Sequence, residues 1–388
     1  MPSRSPQTIM KKTILILTLA AFAFAPVLRA EGTKYPPINP ALLYWQAAAE
    51  LPQLTEDQAR DLSEMASGKL PFDAEKAGQL LTPKGSLRLA EKAANSTASC
   101  DWGLPLEDGP GTSLPHLAKI RQLAGLAIIN AETLFAKGKV KEGVEWLMVA
   151  HRIARHAGAG DLLISFLVQN AIETNAVRAA ARHCLSWDDG TRQAYAAALQ
   201  TLPPLRTVQE SFHGEQVLID WVERRALPSA QSQHEIEELM QALTIEKPAD
   251  KEAMIAQLAP GALPATLTEW RDLQSRLEAA LGKPWAQGQP EIKALTDEAV
   301  HSPRYLIRNY IPTVTSVSEN AFILATLHTM LQAALQHGSQ LDEAAAGAYR
   351  DALEGEPLRL QKGENGTLTL LAARQHPVGK NLSLQLGK

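Results

Sequence analysis

"LPHLAKIRQLAGLAIINAETLFAKGKVKEGVEWLMVAHRIARHAG", Leu114 to Gly158, decides how this chain is read. Leu117, Ile120, Leu123, Ala124, Ala127, Ile128, Ala131, Leu134 and Phe135 recur with a period near 3.6, the spacing that gives an α-helix one apolar face. Gly138 is the residue type that ends a helix in the left-handed conformation. Beyond it Val144, Leu147, Ala150 and Ala154 restart the period. Helix, Gly-Lys turn and helix form an antiparallel pair, and its apolar stripes have to be buried against further helices.

Working outward, a third helix is expected from about Asp161 to Leu185, with Gln169, Asn170, Glu173 and Thr174 beside its apolar stripe, there to line a cavity or to pair with neighbours such as Asn130. Upstream, a short helix fits Pro40 to Leu51, and Thr55 with Gln58 forms a capping box for a helix stopped by Gly68. Two more fit "DAEKAGQLL" and "PKGSLRLAEKAAN". Downstream, "RTVQESFHGEQVLIDWVERRAL" reads as one long helix. Ser232 and Glu235 cap "QHEIEELMQAL", "DKEAMIAQLA" follows, and Thr266 with Glu269 caps "TEWRDLQSRLEAALG", stopped by Gly282 and Pro284. The last large helix is "SVSENAFILATLHTMLQAALQHG". Then Leu358 and Leu360, and Leu368 and Leu370, alternate on either side of "KGENGT", a hairpin pattern, with a third strand in "NLSLQL". The expected fold is all-α: stacked antiparallel helix pairs with a small C-terminal β-hairpin.

The N-terminus carries Arg4, Lys11 and Lys12 before an apolar run from Thr13 to Ala25 and a stretch of small residues, the layout of a secretory signal peptide cut after Ala30. This divides the chain into a signal peptide (1–30), a helical domain (31–340) and a hairpin appendage (341–388), and it points to an exported protein, periplasmic or secreted. No later run reaches the roughly 18 apolar residues of a membrane span, so no transmembrane anchor is expected once the signal is removed. The 38 basic and 42 acidic residues leave a formal charge of −4 without long blocks of either sign, which speaks against nucleic acid as a partner. In an oxidising compartment Cys100 and Cys184, the two cysteines, are the candidates for a disulfide.

Three groupings could carry chemistry. The loop "SCDWGLPLEDGPGTSLPHL" gathers Asp101, Trp102, Glu107, Asp108 and His116 as a candidate binding loop, with His116 able to titrate near neutral pH. Its structural reading is a helix entry: Thr112 or Ser113 as cap, Pro115 in the first turn, Glu107 and Asp108 favoured by the helix dipole, and Trp102 as a plug over the core. Glu210 with His213 and Glu298 with His301 are two Glu-x-x-His pairs, which with Glu132 and Glu173 would complete a ferritin-like di-metal set. Because Ser302-Pro303 follows His301, that histidine is expected to end its helix. His151 and His156 are five apart and do not share a helix face. No zinc-type Cys/His spacing, Gly-rich phosphate loop or Gly-x-Ser-x-Gly elbow is present in the sequence, so no metal or cofactor is assigned.

Leu134, Gly138, Leu147 and Ala150 resemble one tetratricopeptide repeat, but no further copy follows at a period of about 34 residues. The tail, His337-Gly338 followed by Asp351, Leu353, Gly355, Pro357, Leu358 and Arg359, resembles the C-terminal part of type II secretion pseudopilins. Their Asp/Gly-rich calcium loop is replaced here by "RQHPVGKNLSLQLGK", and their N-terminal pilin helix is absent, so neither calcium nor pilus assembly is implied. Asp101 to Ala124 together with this tail also resembles an uncharacterised family of exported, mostly helical bacterial proteins. The functional expectation is a structural or interaction role in the cell envelope with a protein partner. The alternative is a metal-binding or hydrolytic helical enzyme using the His116 loop or the two Glu-x-x-His pairs.

Overall fold

The computed structural model describes residues 37–388, apart from residue 83 and residues 230–232, 259–261, 312–313, 364–366, 376–380 and 388. The expected signal peptide and the Ser232 half of its expected capping box lie outside the described residues.

Four short helices come first: α1 (Pro40–Ala49), α2 (Glu56–Ser67), α3 (Ala74–Leu80) and α4 (Gly85–Ala94). Each start has a local cause. Asn39 accepts from the Ala41 amide at α1, Thr55 and Gln58 form the reciprocal capping box of α2, and Asp73 accepts from two amides at α3. Gly68 ends α2 at φ 76°, a conformation that costs glycine little.

Next come the long helices α5 (Pro115–Ala136), α6 (Val140–Ala157) and α7 (Leu163–His183), with Gly138 turning between the first two at φ 72°. The buried residues of α5 include Leu117, Ile120, Leu123, Ala124, Ala127, Ile128 and Ala131, the stripe expected from the sequence; Leu134 and Phe135 lie at its margin, partly buried. Alanine-rich faces let these helices approach closely, and α7 buries Ala176, Ala179, Ala180 and Ala181 completely. A further helix, α8 (Asp189–Thr201), starts on an Asp188 cap and lies outside the helices expected from the sequence.

The expected long helix after Pro204 is two helices, α9 (Val208–Gly214) and α10 (Gln216–Ser229). A Cβ at Gly214 would collide with the Asp161 carbonyl, so this point is where the loop before α7 crosses. The next residue, Glu215, reaches that loop and accepts from the Leu163 amide at 2.9 Å, capping α7, which has no cap of its own. Gly214→Val should therefore destabilise the fold by about 1–3 kcal/mol, as overpacking against backbone does, and an unchanged urea midpoint would contradict this crossing.

Then follow α11 (Gln233–Ala242), α12 (Pro248–Leu258), α13 (Ala262–Leu281), α14 (Trp285–Val300), α15 (Tyr305–Tyr310), α16 (Thr315–His337) and α17 (Glu343–Gly347). The α13 start differs from expectation. Thr266 is inside the helix, its hydroxyl donating to the Ala262 carbonyl, and Glu269 pairs with Arg304. The chain ends in β1 (Arg359–Lys362), β2 (Leu368–Gln375) and β3 (Asn381–Leu386), an antiparallel sheet in the order β1-β2-β3. Leu360 opposes Leu370, and Leu370 opposes Leu384.

Two large cores result. The first joins α1, α4–α8, the C-terminal half of α16 and the inner face of the sheet, where Leu370, Leu384 and Leu386 meet the helices. The Gly387 amide also donates to Ala181 at the last turn of α7, tying the sheet to the helical body. The second core lies among α9–α15 and the start of α7, around Phe166, Phe212 and Trp270. A smaller cluster lies under α2, α3 and α4. Among the described residues no helix is long and apolar enough to cross a membrane.

The expected disulfide is not formed: Cys100 and Cys184 are both free. Cys100 lies by Ala41 and Tyr44, and the Tyr44 hydroxyl bonds His156 in the last turn of α6. Cys184 follows the end of antiparallel α7, where His183 meets Phe135 just before α6 begins. Most of the 18-residue α6, ~27 Å long at about 1.5 Å per residue, separates them, whereas a disulfide needs Cα atoms within about 7 Å. Burial pushes both thiols up to about 12, so they stay protonated.

Candidate functional site

The most concentrated buried chemistry lies where α6, α7, α8 and α16 meet, and Glu173 on α7 is at its centre. Its side chain is 0 % exposed. His151 Nδ1, from α6, lies 2.9 Å from Glu173 Oε1, and His328 Nε2, from α16, lies 3.0 Å from the same oxygen. Arg155, one turn after His151, donates to the other oxygen, Oε2, and also to the His151 carbonyl at 3.2 Å. On the far side of the imidazole, His151 Nε2 is 2.6 Å from the Tyr195 hydroxyl of α8. The helical repeat explains the convergence: His151 and Arg155 are four apart on one face of α6, and antiparallel α7 presents Glu173 opposite them.

Burial works against the Glu173 carboxylate, but His151, His328 and Arg155 together outweigh it and hold the carboxyl well below its usual range. For His151 burial prevails over the attraction of Glu173 and lowers its pKa, with the charges of Arg155 and His328 adding to the effect. Three atoms of this centre, His151 Nδ1, His328 Nε2 and Glu173 Oε1, are buried without a well-directed hydrogen bond despite their short spacing. His328 is the member that reaches outward, with its side chain 29 % exposed. It lines two clefts, one of about 220 Å³ with Arg155, Gln200 and Gln332, the other of about 450 Å³ with Asn170, Arg206 and Phe322.

A second buried carboxylate, Glu132 of α5, accepts from Arg182 at 2.8 and 3.0 Å and pairs with His183 Nε2 at 2.8 Å. Burial raises its pKa, but the His183 hydrogen bond and the Arg182 charge prevail and bring it down to about 2. This group staples α5 to the end of α7.

The loop from Cys100 to Leu117 is built as a structural entry to α5, by means other than those expected. Trp102 is buried, its indole N–H donates to the His156 carbonyl at 2.8 Å, and its ring stacks on His116 at 4.4 Å. His116 is 1 % exposed, and neither ring nitrogen has a partner. Asp101 accepts from the Gly103 amide, and its backbone exchanges two hydrogen bonds with the Asn39 side chain, joining the loop to α1. Neither Thr112 nor Ser113 caps α5: Leu114 stands at that position without a side-chain bond, and Thr112 donates to Pro105 instead. Glu107 and Asp108 are exposed in a 3-10 turn, Leu106–Gly111, with Gly109 packed on Trp221 of α10. The five loop residues thus do not converge on one pocket.

The Glu-x-x-His pairs are not brought together either. Glu210 completes a capping box with Thr207, and His213 meets Glu278 at 3.1 Å. Glu298 is bound by Arg276, and His301, the C-cap of α14, sits on the Asp297 carbonyl. Of the four groups imagined around a di-metal set, Glu173 alone lies in the Glu173 centre. Sequence reasoning singled out Glu173 but passed over His328, Tyr195 and Arg155. Its one usable signal was that His328 interrupts the apolar stripe of a long helix. Comparisons with family models, with curated proteins and with solved structures found no match to this chain.

Proposed function

We propose that this chain is an exported, periplasmic or secreted, helical scaffold that docks a protein partner in the cell envelope through the outer face of α1. The carrying observation is an apolar stripe left in solvent: Ile38, Leu42 and Trp45, at 47 %, 57 % and 39 % exposure. Leu42 and Trp45, three apart, share one face of α1, and Ile38 lies just before its N-cap Asn39; the opposite side of the helix, Leu43, Tyr44 and Ala47, is buried in the main core. An aromatic anchor with aliphatic neighbours inside a polar border is the usual anatomy of a protein interface. Here the border is supplied by Asn39, Ser96 and Asp101, which are hydrogen-bonded to one another or to the backbone beside the stripe. The helix carries no basic residue, whereas docking to an anionic bilayer draws on Lys and Arg at the contact. The resemblance of the Asp101–Ala124 stretch and the tail to exported helical proteins points the same way.

The test is a photo-crosslinking residue at Leu42 in intact cells. One discrete covalent product is expected, its partner identified by mass spectrometry and then bound by the purified protein. Leu42→Asp should weaken that purified complex by at least about 2 kcal/mol, the scale of a central interface residue. Crosslinks to lipid alone, or a complex that Leu42→Asp leaves unchanged, would overturn the assignment.

A further inference from the structure

We propose that the cleft bounded by α7, α9, the α13–α14 turn and α16 binds a small aliphatic carboxylate, at a place separate from the α1 surface. The cleft encloses about 450 Å³, inside the roughly 300–1,000 Å³ usual for small-molecule sites. It runs along the seam between the two large cores: Phe166, Val208 and Leu281 belong to the second, and Phe322 packs against the first. The cores meet without filling this space, and a seam between packed helices is a common place for a ligand pocket. Leu205 and Pro284 complete walls that favour an aliphatic body.

Two donors on these walls have no acceptor. Asn170, 7 % exposed, holds its Nδ2 out of solvent without a hydrogen-bond partner, and the Nε of Arg206 is likewise buried and unpaired. Buried polar groups are nearly always satisfied, so two such donors on residues lining one cleft call for an acceptor inside it. Arg206 is also held in place. The Gln169 side chain, itself fully buried, donates to the Arg206 carbonyl at 2.9 Å and accepts from its amide at 3.0 Å, which fixes residue 206 beside α7. Asn170 is the next residue on that helix.

Charge selects among acceptors. Arg206, Lys283 and His328 line the cleft, and among the described lining residues there is no Asp or Glu. The counter-ions are not wall residues: Asp161 meets Arg206 Nη2, Glu291 meets Lys283, and Glu173 meets His328 while its charge is balanced by Arg155. The Asp161 contact engages Nη2 and leaves Nε free. A carboxylate supplies two oxygens for the two donors and a charge-assisted bond to Arg206, which an uncharged head group does not.

The experiment titrates the purified protein with octanoate, octanol and octylamine, by calorimetry and in thermal unfolding. Octanoate is expected to bind at one equivalent and raise the melting temperature. Octanol should bind at least about tenfold more weakly for want of the charge-assisted bond, and octylamine not at all. Asn170→Leu should weaken octanoate binding by about tenfold or more without lowering the melting temperature of the free protein, because an apolar group of similar size replaces an unsatisfied buried amide. Ala325, exposed on α16 at the cleft wall, gives a second variant: Ala325→Trp fills the cleft from a solvent-facing position and should abolish binding with the fold intact. Should Asn170→Leu fail to fold, Ala325→Trp alone decides. Absence of saturable octanoate binding, equal affinity for octylamine, or octanoate binding that either folded variant leaves unchanged would overturn the proposal.

Discussion

Glu173→Leu is expected to destabilise the protein by about 3–5 kcal/mol, the loss typical of breaking a buried ion pair on one side. The reason lies in what remains. Arg155, its side chain only 11 % exposed, keeps its contacts to the His151 and Pro203 carbonyls but loses its counter-charge. The Glu173 carboxylate itself is ionised in the fold because His151, His328 and Arg155 outweigh the cost of its burial. If the penalty comes from the stranded guanidinium, removing both charges should restore much of it, because apolar replacements of buried pairs are often neutral. Glu173→Leu with Arg155→Met should therefore be more stable than Glu173→Leu alone in urea denaturation. A double variant as unstable as the sum of the singles would show instead that each side chain contributes through separate packing.

The second large effect is a loss of stability in mild acid. His116 and His156 both have pKa values lowered to about 4, in each case chiefly by burial, with the Arg152 charge adding to it at His156. His116 stacks on Trp102 and meets Trp45 edge-on without a hydrogen-bond partner, and His156 meets the Tyr44 hydroxyl at 2.8 Å. Both are neutral in the fold and titrate near pH 6.5 when unfolded. The unfolded chain therefore takes up these protons first, so the stabilisation is complete above pH 6.5 and drains away as pH falls through 4. A depression of this size corresponds to roughly 3 kcal/mol for each imidazole. Thermal unfolding followed from pH 7 to pH 4 should show a steep fall in melting temperature, and His116→Phe, which retains the stack on Trp102, should flatten it. A melting temperature constant over that range would contradict the buried neutral state of both rings.

Most helices could be read from single residues. Thr55, Gln58 and Gly68 bound α2 as expected, Gly138 turns α5 into α6, and the leucine alternation around residues 358–370 became β1 and β2. These signals are local: a cap, a left-handed glycine or a hydrophobic period states its own energetics within one or two turns. The errors had two sources, a distant segment at Gly214 and competing local hydrogen bonds at Thr266 and Thr112. Gly214 breaks a continuous helical pattern because the Asp161 carbonyl crosses it, and Thr266 lies inside α13 even though it heads a capping-box pattern. Thr112 turned to Pro105 and left α5 without a side-chain cap.

The buried chemistry divides in the same way. The sequence by itself determined that Glu173 and Gln169 lie near the apolar stripe of α7, since helical periodicity is enough to say which face a residue occupies. Only the tertiary structure decided that Glu173 would meet His151, Arg155 and His328 rather than Glu210, His213, Glu298 or His301, and that Cys100 and Cys184 would stand apart. Such pairings join residues 18 to 155 positions apart in the chain. They follow from how helices cross and which faces they present to one another, a property of the packed assembly that no single segment encodes.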